Sequence, residues 1–99
     1  MFLIAISPLL REDSNMPIIH QQYGFDYGIE PECSEPPYVC LLKDNVVILV
    51  TIGIPEKELP HINHSINASH EELDQAFDVV SDNQEKFLNA WKRIHGQPV

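Results

Sequence analysis

Four groups of residues in this chain could do chemistry, and each suggests a different kind. Tyr38 and Cys40 stand two apart in an apolar run, so on a strand they share a face. A thiol near a phenol is reactive only if a positive neighbour or a helix N-terminus lowers its pKa, and Lys43 is the one local cation. Strand packing is the better reading of that pair. His61, His64 and His70 fall within ten residues, and zinc accepts imidazole readily. His61 and His64 share a face if their loop forms a helical turn. No Cys or closely spaced carboxylate completes a tetrahedral set, although Glu71 and Glu72 are near. The three histidines are weak metal candidates and read better as solvent-facing loop residues. A pH-sensing role, since His charges just below neutrality, is weaker still.

The other two groups are acidic. Asp26, Glu30, Glu32 and Glu35 bring four acids and no base into one stretch. Calcium takes roughly six to eight oxygens in a compact loop, usually turned by glycine, and this spacing matches no such loop. A solvated hairpin edge, guarded by charge against edge-to-edge pairing, is the better reading. Glu71, Asp74, Asp78, Asp82 and Glu85 recur at three- and four-residue steps, which on a helix form an acidic ridge. Such a ridge is commonly just the wet face of an amphipathic helix. Like charges four apart cost some helix stability, and a basic partner relieves them. This ridge is the best candidate for a partner-binding surface.

No nucleophile elbow, glycine-rich phosphate loop or carboxylate pair in a recognisable context occurs, so catalytic residues are not assigned. Cys33 and Cys40 fit no zinc or thioredoxin-like spacing and are too few to staple a small secreted protein. They read as thiols in a reducing compartment. Fifteen acids against six Lys and Arg give a net charge of −9. Phosphate backbones and anionic membranes repel such a chain, which argues against direct nucleic-acid or membrane binding. The charge favours solubility, or an acidic surface matched to a basic partner, or mimicry of nucleic acid.

These groups must be positioned by elements that the pattern suggests. Ninety-nine residues, 43% of them apolar, make one core without metals or disulfides. Met1–Leu10 is apolar but lacks the positive start and the cleavage site of a signal peptide, and is too short to span a bilayer. The sequons at Asn63 and Asn67 matter only in a secreted chain, and a cytoplasmic location is expected. Phe2–Ile6 reads as an edge strand, and Met16-Pro17 as an alternative start of translation. Residues 1–15 form an extension or edge strand ahead of a single domain, 16–99. Residues 17–23 and 25–29 read as strands around Gly24, with Phe25, Tyr27 and Ile29 on one face and a wet face opposite. Residues 31–37 are a proline-rich loop. Residues 38–52 form the clearest hairpin, whose second strand is continuously apolar and covered on both faces. Residues 56–68 read as a connecting loop. Ser69 and Glu72 form a capping box, and an apolar stripe then runs in phase to Ile94. That stripe favours one long helix, about 70–95, with the poor helix formers Ser81-Asp82-Asn83 marking a kink near Asn83 as the alternative. Lys92, Arg93 and His95 suit its C-terminal dipole, and Gly96 and Pro98 end it.

Met16-Pro17-Ile18-Ile19, then Tyr23-Gly24, then Glu35-Pro36-Pro37-Tyr38-Val39, and finally Gln84-Glu85-Lys86-Phe87-Leu88-Asn89-Ala90-Trp91 occur in an order seen elsewhere. Over roughly residues 16–96 the chain resembles a bacterial small-protein family, domain of unknown function 4160. Where members carry Pro-Pro-His-x-His, this chain has Tyr38-Val39-Cys40, so no role of that histidine pair carries over. Members often sit in gene pairs resembling toxin–antitoxin modules or on mobile elements, which implies a protein partner.

The expected fold is α+β: about three to five antiparallel strands packed against one long C-terminal helix. Leu73, Phe77, Val80, Phe87 and Trp91 are expected to bury against Ile18, Phe25, Val39, Ile48 and Val50. The expected function is a small acidic protein-interaction module that binds, and in one version inhibits, a protein partner. No cofactor is implied. The alternatives are a toxin-like small enzyme acting on RNA, and a structural homodimer subunit.

Overall fold

Two tight turns set the first half of the fold. β1 (Ile18–Gln22) and β2 (Phe25–Gly28) are joined by Tyr23-Gly24, with φ of 56° and 79°. Two positive φ values in succession give a turn whose twist matches that of its strands. Gly24 adopts this freely, whereas Tyr23 holds it at a cost of about 1–2 kcal/mol. β3 (Tyr38–Lys43) and β4 (Val46–Thr51) meet across Asp44-Asn45, where Asp44 takes φ 52°. The computed structural model describes residues 16–31 and 36–96. The expected strand at Phe2–Ile6, Cys33, Glu32, Glu35 and Pro98 lie outside those residues.

The strands form one antiparallel sheet in the order β1-β2-β3-β4-β5. The fifth strand, β5 (His61–Ile66), corrects the expectation of a loop over 56–68. Its alternation is hidden by a slip in register. Ile62 pairs with Val50 and His64 with Leu49, which leaves Asn63 as an extra residue. A bulge of this kind breaks the period of two on which strand recognition depends.

One face of the sheet carries the core. Phe25, Tyr27, Ile29, Val39, Leu41, Ile48, Val50 and Ile52 are all buried. Against them pack α1 (His70–Asp82) and α2 (Gln84–Ile94). The single long helix is thus two helices, although the apolar stripe keeps its phase through Ala76, Val79, Val80, Phe87 and Trp91. The break has a local cause. Asn83 leaves helical geometry at φ −121°, ψ 25°, and its Nδ2 donates to Val79 O at 2.8 Å. Beside it, Gln84 Nε2 donates to Ile52 O at 2.8 Å and also to Glu58 O, pinning α2 to the chain leaving β4. The expected packing also needs correction at three residues. Ile18 is 45% exposed, because a bulge between Ile18 and His20 turns Ile19 to the core instead. Leu73 packs only at the margin, and Phe77 is half-buried outside the core cluster, with Ala76 and Val79 fully buried.

The opposite face is built by the other half of each strand. Ile18, Gly28, Cys40, Leu49 and His64 lie in register across it, with Leu42, Val47 and Ile66 alongside. This face of β4 is half-buried rather than fully covered. β2 does not offer the expected wet face either. Gly28 is buried, and a Cβ there would meet Met16 Cγ at 2.9 Å.

Candidate interaction site

The ridge begins at the N-cap of α1, where a capping box is complete. Ser69 Oγ accepts from the Glu72 amide at 3.1 Å, while Glu72 Oε1 accepts from the Ser69 amide at 2.9 Å. Glu72 Oε2 also meets Lys43 Nζ at 2.8 Å, tying the helix start to the β3–β4 hairpin. The Lys43 hydrogen bond, followed by that from the Ser69 amide, holds the Glu72 carboxyl below its ordinary range. Asn67 adds a second tie, donating to Asn45 O at 3.0 Å.

From that anchor Glu71, Asp74, Asp78 and Asp82 project along α1, and Glu85 follows on α2. All five are exposed. Among the described residues none of the five forms an ion pair. Glu72, which does, lies beside the ridge. No Lys or Arg occurs in α1, and its last turn has no base to offset the negative end of the dipole. Asp78 and Asp82 therefore stand where the helix field disfavours anions. The break at Asn83 places Glu85 in the first turn of α2, where the field favours it. The result is an unneutralised anionic surface, suited to ion pairing with a basic partner.

The histidines do not converge. His61 and His64 do share a face, but through the bulged strand β5 rather than through a helical turn, opposite Thr51 and Leu49. His70 opens α1. Among the described residues no group of three or more His, Cys, Asp or Glu is placed to hold a metal ion. Asp26 accepts from Gln21 Nε2 at 2.7 Å on the sheet, and Glu30 follows β2, so the described part of that acidic run is spread out. Cys40 is 1% exposed and sits beside Gly28 and Leu49 in register, while Tyr38 is half-buried opposite Thr51.

One cluster has no counterpart in the sequence pattern. The β1 bulge turns His20 toward α2, where its Nδ1 lies 2.9 Å from Lys86 Nζ. A lysine ammonium can only donate, so His20 Nδ1 accepts, and Nε2–H donates to Gln22 Oε1 at 2.8 Å. The ring stands edge-on to Tyr27 and Phe87 at 5.2 and 5.3 Å. Tyr27 is wholly buried, and its hydroxyl has no hydrogen-bond partner among the described residues. Burial, with a smaller push from Tyr23, raises its pKa to about 12. His20 and Lys86 are 66 positions apart, so spacing alone could not join them. A second feature is an open groove of about 420 Å³ lined by Pro36, Pro37, Ile54, Leu88 and Trp91, and also by Glu58 and Lys92.

No helix among the described residues is long and apolar enough to cross a membrane. Comparison with protein-family models, with curated proteins and with solved structures finds no match to this chain. The resemblance described above rests on its quoted motifs alone.

Proposed function

We propose that the chain is a small acidic interaction module that binds a basic protein through Glu71, Asp74, Asp78, Asp82 and Glu85. The observation that carries this reading is that all five ridge carboxylates are exposed and form no ion pair among the described residues, with no Lys or Arg along α1. Uncompensated charge of one sign steers an oppositely charged partner and fixes its orientation more than it adds raw affinity. A cytoplasmic location and a gene-pair setting, with the partner inhibited by occlusion of its basic surface, fit a cysteine spacing that matches no disulfide framework, and the family resemblance. Affinity capture of the tagged protein from its native lysate tests this. The expected result is one stoichiometric basic partner, released at high salt because exposed ion pairs are screened. Retention of nothing, or of a partner indifferent to salt, contradicts the reading.

A second reading draws on His20 and Lys86, whose 2.9 Å contact brings an imidazole and a cation together at the surface. A toxin-like enzyme acting on RNA needs such groups at the scissile phosphate. Growth arrest on expression, abolished by His20→Gln in a folded protein, supports that reading. Growth arrest unchanged by the substitution removes it.

A further inference from the structure

β5 ends the sheet, so among the described residues one side of its backbone has no partner strand. Such an edge is usually guarded by charge or proline, because its open N–H and C=O groups invite another chain. β5 carries neither guard within its length. No Asp, Glu, Lys or Arg occurs from residue 59 to residue 69, although 21% of the chain is charged. His61, Asn63, His64 and Ile66 are all exposed. The bulge at Asn63 bends the strand but leaves ladder pairs on both sides of it.

α1 overhangs this edge. It packs over β4 and β5, whereas α2 sits on the other side, with Phe87 against His20 of β1 and Tyr27 of β2. α1 starts past the Ile66 end of β5, where Asn67 donates to Asn45 O. It finishes toward the His61 end, where Gln84 reaches Ile52 O and Glu58 O. Thirteen helical residues and six strand residues each span about 20 Å, so helix and edge run side by side. The flanks of α1 differ. Glu72 reaches inward to Lys43 at the end of β3. Leu73 lies about 100° round the helix from it, and Phe77 one turn further on, which sets both on the flank toward the open edge. That position explains why neither is fully buried: no described strand lies beyond β5 to cover them. Asp74 and Asp78 follow them in sequence and continue that flank toward solvent.

We propose that β5 is a strand-addition site that takes an extended, basic segment of a partner protein. Main-chain hydrogen bonds to β5 supply affinity, and alternate side chains of the segment supply specificity. A lysine or arginine turned to the helix side lays its apolar stem over Leu73 and Phe77 and carries its charge to Asp74 and Asp78. Charge complementarity selects this occupant over a second copy, which brings another net charge of −9 and an edge without a single cation. The inference rests on the reading that the ridge binds a basic protein, and it names the element that the partner presents.

The test is amide hydrogen exchange, followed by NMR on isotope-labelled full-length protein with a short capped peptide that alternates lysine with valine. The β5 amides that do not bond to β4 should exchange more slowly by roughly tenfold when the peptide is present. A peptide that alternates glutamate with valine should leave them unchanged. Equal protection by the glutamate peptide overturns the basic occupant. No binding of the lysine peptide overturns the site. Shifts confined to α1, with β5 exchange unchanged, overturn strand addition while leaving the ridge as a binding surface. Failure of the ridge itself is read separately, from a captured partner that Asp78→Lys still retains.

Discussion

At the scale of single residues, Tyr27 is the most informative. A buried hydroxyl without a partner costs free energy that its ring more than recovers through packing. Tyr27→Phe should therefore leave stability unchanged or raise it by up to about 1 kcal/mol, as read from urea unfolding midpoints. The same residue sets an alkaline limit. Its folded pKa is raised from 10.0 to about 12, so its contribution is intact below pH 10 and is lost as pH rises through that window. The loss should reach roughly 2–3 kcal/mol and be absent in Tyr27→Phe, since a tenfold change in acidity corresponds to about 1.4 kcal/mol. The burial of Tyr27 was legible from its alternation with Phe25 and Ile29. Its contact with His20 was not, because a bulge at Ile19 decides which way His20 points. Nothing in a run of Ile, His and Gln announces a bulge.

At the scale of elements, the cap of α1 and the break before α2 make opposite points about legibility. The capping box involves residues three apart, so Ser69 and Glu72 declare it locally. Ser69→Ala should cost about 1 kcal/mol of stability. Glu72 adds a pH dependence of definite sign. Its folded pKa is depressed, so its contribution is present above the ordinary carboxylate range and is lost as pH falls through it. Glu72→Gln should flatten that acid limb of a stability–pH profile. The break at Asn83 was only half legible. Ser81, Asp82 and Asn83 are weak helix formers, but the stripe stays in phase across them. The deciding contact is Gln84 reaching back to Ile52 O, 32 positions away. Gly53 makes room for it. At φ +80°, a Cβ there would lie 2.7 Å from Glu58 O and 2.8 Å from Gln84 Nε2. Gly53→Ala should cost about 2 kcal/mol or more, combining left-handed strain with the clash, and should shift the urea midpoint accordingly. β5 went unread for the reason that hid His20. A bulge at Asn63 removes the alternation, and two histidines and an asparagine resemble a loop.

At the scale of the whole molecule, the sheet divides the chain into a helix-covered core and an opposite apolar face, while five exposed carboxylates line the two helices. The α+β class was legible because it follows from periodicities of two and 3.6, which the order of apolar and polar residues carries. The exposure of the five acids was legible for the same reason, as they fall between the apolar positions of the stripe. What such spacing does not reveal is which charges remain unneutralised. Glu72 belongs to the same acidic run as Glu71 and Asp74, yet it alone meets Lys43, and only the packing of α1 against the hairpin makes that distinction. The account rests most heavily on the exposed ridge, so charge reversal on α1 is its most direct test. Tagged wild-type protein and Asp78→Lys should be compared in affinity capture from native lysate, with far-ultraviolet circular dichroism of both. The account predicts identical helix content and a salt-sensitive basic partner retained by the wild type alone. Equal retention of that partner by folded Asp78→Lys would contradict it.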